Sequence, residues 1–314
     1  MKILITGGAG FIGSNLTDHL LTQSHDILVI DNYATSCRDN LMSHPKLKII
    51  EGTIADHALV ADAFSSFKPE IVVHAAASYK DPENWIEDTL TNVLGTTHIA
   101  KESIKARIKR LIYFQTALCY GKPQTQPITL EHRINPESSY AISKTAAEQY
   151  IALSGLDFIS FRLANVYGPR NLSGPLPTFY KRLKEGKKCF VVEARRDFLY
   201  VKDLVAVVSK AIAGQGSKGY YHISSGKDVT IYDLYQSVVK SMKLSNLDPV
   251  EIRPRTPDDV ESILLDPTKT NKDFQWATDA DWKKGVDAAI QYYDKHGVEQ
   301  TFTHLTGVVK EGVH

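Results

Sequence analysis

The sequence has few cysteines, no long apolar run and almost no excess of either charge. The three cysteines among 314 residues, Cys37, Cys119 and Cys189, form no closely spaced pair and have no histidines at zinc-binding spacing. We therefore expect reduced thiols and no metal site. No apolar run reaches the ~18 residues that a membrane-spanning helix needs. The N-terminus also lacks the charged region and cleavage site of a signal peptide, so the expected location is cytoplasmic.

The charge balance narrows the range of partners. Lys and Arg total 37, and Asp and Glu total 36. Because nucleic acids and anionic membranes attract proteins with a basic surface, this balance argues against both as the main partner. The length and the 43% hydrophobic content suit a large α/β domain with a second, smaller unit.

The first 31 residues carry the pattern of a dinucleotide-binding site. An apolar strand at residues 2–6 is followed by Gly7, Gly10 and Gly13 and then by a helical run. Such a turn lets the backbone and the helix N-terminus approach a pyrophosphate. The second strand ends in Asp31, whose carboxylate would bind ribose hydroxyls and repel a 2′-phosphate. The pattern therefore predicts NAD rather than NADP.

Strands and helices continue to alternate through the first half of the chain, which indicates a parallel sheet covered on both faces. Ligands of such sheets bind at the carboxyl ends of the strands. Ala75, Ala76 and Ala77 follow the fourth predicted strand at this edge. Their small side chains would either let a cofactor approach closely or serve helix packing. Thr116 follows the next strand and so reaches the same edge.

Tyr140 and Lys144 open the following helix four residues apart. This spacing places both side chains on one helix face. A cation beside a phenol favours the phenolate and makes it usable for proton transfer near neutral pH. Such a pair alone is more often part of a solvated helix face, but Thr116 and the glycine turn favour a catalytic reading.

Together these motifs resemble the extended short-chain dehydrogenase/reductase family. Within it they are most similar to the nucleotide-sugar epimerases and dehydratases, typified by UDP-galactose 4-epimerase. The resemblance covers nearly the whole chain. The matching segments are residues 6–13, 31–32, 51–56, 74–77, 92–93, 116–121, 140–144, 162–170, 196–203 and 266–269.

The resemblance implies an α/β fold with a Rossmann doubly wound parallel sheet and a smaller C-terminal α/β substrate-binding domain. The NAD-binding domain would cover residues 1–165, with a later excursion around 196–222. Residues 166–314 would form mainly the nucleotide-sugar domain. The family also implies a homodimer, in which the long predicted helix at 85–106 and the helix of Tyr140 pair with their copies.

The resemblance also assigns roles to individual residues. Tyr140 would be the base, Lys144 would lower its pKa and hold the nicotinamide ribose, and Thr116 would bind the reacting sugar oxygen. Arg38 is the one nearby residue that would suit NADP. The implied cofactor contacts are Gly7, Gly10, Phe11, Ile12, Gly13, Asp31, Asn32, Thr53, Ile54, Ala75, Ala76, Ala77, Asn92, Tyr140 and Lys144. The implied substrate contacts are Thr116, Asn165, Arg196 and Asp259.

One departure from the family bears on the reaction. Dehydratases of the dTDP-glucose type carry Asp-Glu directly after the threonine, whereas this chain has Ala117 and Leu118. We therefore expect NAD-dependent epimerisation of a nucleotide-diphosphate sugar, most simply at C4 of a UDP-sugar, through a keto intermediate. Such a reaction would supply precursors of O-antigen or capsule polysaccharide. The alternatives are a dehydratase, decarboxylase or oxidoreductase of the same family, or an NAD-sensing regulatory protein without catalysis.

Overall fold

The computed structural model describes residues 1–79, 81–254, 262–279 and 281–301. Its strands are β1 (Lys2–Thr6), β2 (Asp26–Asp31), β3 (Leu47–Glu51), β4 (Ile71–His74), β5 (Arg110–Thr116), β6 (Phe158–Leu163), β7 (Asn165–Tyr167), β8 (Phe190–Val192), β9 (Arg195–Arg196), β10 (Phe198–Tyr200), β11 (Gly219–Ile223), β12 (Val229–Thr230) and β13 (Glu251–Arg253). Its α-helices are α1 (Phe11–Thr22), α2 (His57–Phe67), α3 (Trp85–Glu87), α4 (Thr96–Ala106), α5 (Ser139–Leu153), α6 (Pro175–Lys184), α7 (Val201–Ile212), α8 (Ile231–Ser241), α9 (Thr268–Phe274) and α10 (Lys283–His296).

A seven-stranded parallel sheet in the order β11-β6-β5-β4-β1-β2-β3 forms the centre of the fold. The strand order reverses between β1 and β4, which creates the crevice where ligands of doubly wound sheets bind. This arrangement confirms the predicted Rossmann fold.

The central strands are continuous apolar runs because their side chains alternate between two faces of the sheet that are both buried. Ile3 and Ile5 in β1 pack into one buried cluster and Leu4 into another, so the sheet is covered on both faces. Helix α7 packs on the first face, and α2, α4 and α5 lie on the second. Both faces of the central strands are therefore buried, which leaves the strand ends and the loops as the expected place for a ligand.

The long helix predicted for residues 85–106 is continuous but changes its hydrogen-bond pattern. A π-helical segment, Asp88–Gly95, separates α3 from α4. A Cβ at Gly95 would lie 2.6 Å from Ile54 Cγ1, so this turn packs closely against the loop after β3. π-Helical turns occur often at functional sites.

The second half of the chain adds a smaller unit. Two-residue and three-residue strands pair as β7 with β10, β9 with β12, and β8 with β13, and α6, α8 and α10 pack around a common apolar cluster. Strand β11 returns to the main sheet beside β6. The division into two domains at residue 165 stays a prediction. Among the described helices, none has the length and apolarity to cross a bilayer.

Candidate active site at the carboxyl edge of the sheet

The glycine turn brings backbone close to backbone. Gly7 has φ +66°, and a Cβ there would lie 2.7 Å from the backbone nitrogen of Ala76. A Cβ at Gly13 would collide with the Gly7 carbonyl oxygen. Gly10 precedes α1, whose first-turn amides have no partners within the helix and are suited to bind a diphosphate. Phe11 and Ile12 occupy that first turn.

Asp31 links the glycine turn to the loop after β2. Its Oδ2 accepts a hydrogen bond from Ala9 N at 2.8 Å, and its Oδ1 accepts from Tyr33 N and Ser36 Oγ at 2.8 and 2.9 Å. The exposed Asn32 follows directly. The carboxylate therefore lies at the place where a Rossmann fold binds the adenosine ribose.

Arg38, the residue that would suit NADP, is already engaged. Its guanidinium forms an ion pair with Glu51 and lies 4.2 Å from the ring centroid of Tyr33. Both contacts hold its charge at the rim of the site. A negative partner on this arginine reduces its attraction for a 2′-phosphate.

The loops after β3 and β4 close the middle of the crevice. Thr53 Oγ1 accepts a hydrogen bond from Ala55 N at 3.2 Å, and Ile54 is buried. Asn92, in the π segment, accepts from Ser78 N at 2.8 Å and donates to Ser78 O and Ser143 Oγ. Its amide thus fixes the loop of Ala75–Ala77 to α5. A direct contact of Asn92 with the cofactor stays a prediction.

Helix α5 is fixed to β5 through its own backbone. Tyr113 Oη and Gln115 Nε2 each donate to the Lys144 carbonyl at 3.0 Å. Thr116 ends β5, and Ser138 caps the helix by accepting from Ala141 N. These bonds bring the helix start to the end of β5, where Thr116, Tyr140 and Lys144 were expected to meet.

Tyr113 lies near both Tyr140 and Lys144. Lys144 Nζ lies 4.0 Å from the centroid of that ring, and the Tyr140 charge contributes to raising the Tyr113 pKa, which burial raises most. The two side chains therefore share one region of the site, as the helical spacing predicts.

The pKa shifts differ from the expectation of a phenol acidified by its neighbour. Burial raises the pKa of Tyr140, and nearby Tyr79 and Asp88 raise it further. Burial lowers the pKa of Lys144 to about 7, against an opposing contribution from Glu148. Desolvation disfavours each charged form and is the largest cause of both shifts. Taken together, the two groups still lose one proton near neutral pH.

Two buried groups beside this pair escaped the sequence analysis. Asp88 is 1% exposed and accepts a hydrogen bond from Ser139 Oγ at 2.7 Å, next to Tyr140. Glu148, one turn beyond Lys144, pairs with Arg162 through two hydrogen bonds of 2.8 and 3.2 Å. Asp88 lies in the π segment and Glu148 in α5, and no local sequence pattern marks either carboxylate.

The predicted substrate contacts lie at the smaller unit. Exposed Asn165 begins β7, and its backbone N–H donates a hydrogen bond to the Asp197 carbonyl oxygen at 2.9 Å. Arg196 ends β9, beside Arg195, which is ion-paired with Asp228 at 2.9 Å. Asp259 lies outside the described residues. The roles of these residues in binding stay predictions.

A glycine turn, an aspartate at the end of β2, and a threonine at the end of β5 followed by the Tyr140 and Lys144 helix are the features of a dinucleotide-dependent enzyme of Rossmann type. The NAD dependent epimerase/dehydratase family matches residues 3–224, so the chain belongs to that family. This membership confirms the predicted resemblance and an NAD-dependent enzyme.

Solved structures agree with this membership. The enzyme WbmH of Bordetella bronchiseptica in complex with NAD+ is 52% identical, with a TM-score of 0.92 over 95% of this chain and 99% of that one. WbmG of the same organism, in complex with NAD and UDP, is 46% identical with a TM-score of 0.90 over 97% and 98%. UDP-glucose 4-epimerase of Thermotoga maritima with UDP-glucose is 28% identical with a TM-score of 0.87 over 94% and 99%. The predicted cofactor, NAD, is confirmed.

Proposed function

We propose that this enzyme epimerises a nucleotide-diphosphate sugar, most simply at C4 of a UDP-sugar, through a keto intermediate. The observation that carries the proposal is the pair of hydrogen bonds from Tyr113 and Gln115 of β5 to the Lys144 carbonyl, which hold the start of α5 beside the strand that ends in Thr116. Likeness to WbmG, which was solved with NAD and UDP, supports the nucleotide. Likeness to an epimerase solved with UDP-glucose supports the reaction.

In this proposal the protein moves protons and holds the sugar. Bound NAD supplies the hydride acceptor and, in the reverse direction, the hydride donor. Tyr140, having lost its proton to leave a phenolate beside the Lys144 ammonium, takes the proton of the C4 hydroxyl and later returns it. Thr116 Oγ1 holds the reacting oxygen. The ketone must turn over inside the pocket, so that the hydride returns to its other face.

The Tyr140–Lys144 pair can reach its active form near neutral pH despite the raised pKa of the phenol. After one proton is lost, the remaining proton is shared between the phenol and the amine. The phenolate–ammonium arrangement carries the same number of protons as the neutral pair. A positive charge held beside Tyr140, such as bound NAD+ would supply, would favour the arrangement with the phenolate, because opposite charges attract.

Elimination of water is the less favoured reaction. Ala117 and Leu118 begin a 3₁₀ turn after Thr116, at the place of the Asp-Glu pair of the dTDP-glucose dehydratases. Neither side chain can donate or accept a proton. A dehydratase, decarboxylase or oxidoreductase would need its acid or base from another residue.

We also propose a homodimer formed by α3, the π segment and α5. Ile86, Leu90, Leu94 and Tyr150 are 74%, 40%, 39% and 47% exposed, and Leu153 is 80% exposed. The π segment packs on α5, so these side chains belong to neighbouring helices. Ile99, Ala147 and Ile151 are instead buried core residues. The double variant Leu90→Glu, Leu153→Glu should be a monomer when its mass is measured by light scattering. The control Tyr232→Glu, at an exposed tyrosine outside this surface, should remain a dimer. A double variant that is still a dimer would contradict this interface.

For its cellular role we propose cytoplasmic supply of sugar nucleotides for O-antigen or capsule synthesis. The product of such an epimerase is an activated sugar, so the consuming reaction would be a glycosyl transfer. A strain lacking the protein should lose one sugar stereoisomer from its surface polysaccharide; an unaltered composition would argue against this role.

The reaction is tested by incubating the protein with UDP-, dTDP-, GDP- and CDP-sugars and following the products by NMR. We expect a new stereoisomer from a UDP-sugar, without carbon dioxide release and without NADH accumulation. Release of carbon dioxide would identify a decarboxylase. Accumulating NADH would identify an oxidoreductase, and loss of water from the sugar a dehydratase. Absence of any new product with bound NAD would favour a regulatory protein.

A further inference from the structure

Asp197 lies between the two predicted substrate contacts in the smaller unit. It directly follows Arg196, and its carbonyl accepts hydrogen bonds from Asn165 N at 2.9 Å and Asn165 Nδ2 at 3.4 Å. Its side chain is fully buried, with 0% exposure. Any displacement of Asp197 would therefore move Arg196 and Asn165 together.

Asp197 lies between β9 and β10, and its carboxyl group joins this link to two other segments. Its Oδ1 accepts from Ser225 N at 2.9 Å and from Ser225 Oγ at 2.6 Å, just after β11. Its Oδ2 lies 2.5 Å from Ser224 Oγ. Ser224 Oγ is also 2.8 Å from the carbonyl oxygen of Leu265, a fully buried residue in the segment before α9.

If Asp197 is ionised, the hydrogen bonds around Ser224 Oγ lack one proton. The hydroxyl accepts from Gly226 N at 2.9 Å and has a single proton to donate, yet it faces two acceptors, Asp197 Oδ2 and Leu265 O. A carboxylate would leave one buried acceptor without that donor. A protonated Asp197 can donate to Ser224 Oγ, which then donates to Leu265 O. Every contact of this hydroxyl is satisfied in the acid form.

The surroundings favour the neutral form of Asp197 more than water does. Burial raises the pKa of Asp197 to about 6, while hydrogen bonds from Ser224, Ser225 and the Leu265 backbone act in the opposite direction. The nearby charge of Arg195 is neutralised by its ion pair with Asp228. Within the described residues, the charged or titratable groups on the adjoining segments include Arg195 and Arg196 on its own segment, His222 in β11, Lys227 and Asp228 after β11, and Asp266 after Leu265.

We propose that Asp197 is a positioning residue of the nucleotide-sugar pocket and that it works as a neutral carboxylic acid. Its proton completes the hydrogen-bonded path from Asp197 through Ser224 to Leu265, and this path holds Arg196 and Asn165 at the diphosphate. The inference rests on the proposed function. Loss of the proton sets two acceptors against one hydroxyl, so the pocket loosens and substrate binds more weakly at higher pH.

Three variants separate the acid from the carboxylate. Asp197→Asn carries an NH₂ group that can donate to Ser224 as the acid does, whereas Asp197→Ala removes the group. Ser225→Ala is the matched control, because it deletes a hydroxyl on Oδ1 but leaves the Ser224–Leu265 contact. The dissociation constant of UDP is measured by calorimetry from pH 5.5 to 8, together with KM and kcat for the UDP-sugar.

We expect the UDP dissociation constant of wild type, relative to Asp197→Asn, to rise about tenfold per pH unit above pH 6, because the protonated fraction falls by that factor. The ratio cancels the titration of UDP itself. Asp197→Ala should raise KM at every pH and change kcat much less. Ser225→Ala should keep a pH dependence, with its onset at higher pH than in wild type, because it loses a hydrogen bond that lowers the Asp197 pKa. In infrared difference spectra below pH 6, the carboxylic-acid C=O band should be present in wild type and absent from Asp197→Asn.

Other outcomes overturn the inference. If Asp197→Asn binds UDP as weakly as Asp197→Ala, a carboxylate is needed; if Asp197→Ala binds as well as wild type, the residue positions nothing. Failure of wild type to bind UDP removes the pocket and the inference with it. UDP binding with the expected pattern but no epimerised product would leave the role of Asp197 intact and refute the proposed reaction.

Discussion

Removing the charge of Glu148 should both destabilise the fold and shift the pH dependence of catalysis. The Glu148 and Arg162 side chains are 4% and 6% exposed, and their two hydrogen bonds measure 2.8 and 3.2 Å. Glu148→Gln leaves the guanidinium buried without its counter-charge. Breaking one partner of a buried pair costs about 3–5 kcal/mol, so the free energy of unfolding should fall by that amount.

The same substitution acts on Lys144. The Glu148 charge raises the Lys144 pKa, so its removal should lower the pKa of the Tyr140–Lys144 pair below about 7. The acid limb of the kcat profile should then move to lower pH. This second readout distinguishes an electrostatic effect on the site from a purely structural role of the ion pair.

Urea unfolding and a pH–rate profile measure the two effects. The matched control is Lys184→Gln, which breaks the exposed pair of Lys184 with Asp294, whose side chains are 60% and 49% exposed. Exposed pairs contribute up to about 1 kcal/mol to the free energy of unfolding. Lys184 ends α6 in the smaller unit, apart from the helix that carries the proposed catalytic pair. Equal losses in the two variants would refute the reasoning from burial, and an unmoved acid limb in Glu148→Gln would refute the electrostatic link to Lys144.

Two further predictions concern the catalytic pair. Tyr140→Phe should lower kcat by at least ~10²-fold while NAD remains bound, because general acid–base catalysis contributes that much. Near wild-type turnover would contradict the assignment, and the exposed Tyr232→Phe is the control. In wild type, kcat should rise through about pH 7 as the pair loses one proton. Lys144→Met should move this limb upward, toward the raised pKa of the phenol; an unmoved limb in that variant would assign the proton to another group.

The sequence predicts those parts of the site that depend on local pattern. The turn of Gly7 to Gly13, the strand ending in Asp31 and the four-residue spacing of Tyr140 and Lys144 are set by neighbours in the chain. A helix or a strand converts such spacing directly into position. The fold could be predicted for the same reason, because apolar runs alternating with helices favour one architecture.

Features that depend on distant residues could not be predicted in this way. Asp197 contacts Ser224, which lies 27 positions later in the chain. Arg162 pairs with Glu148, which lies 14 positions earlier. The direction of the Tyr140 shift also depends on how deeply the fold buries the pair, which no spacing reveals. The π-helical turn at Asp88–Gly95 likewise arises where Gly95 packs on Ile54 in the assembled sheet.

The central claim is that a hydride leaves and re-enters the same sugar carbon inside the pocket. It is tested most directly by incubating the enzyme with a UDP-sugar deuterated at C4 and recording NMR spectra of the product. We predict the C4 stereoisomer with the deuterium retained. Product that has lost its deuterium to water, or substrate recovered with its configuration unaltered, would contradict the account.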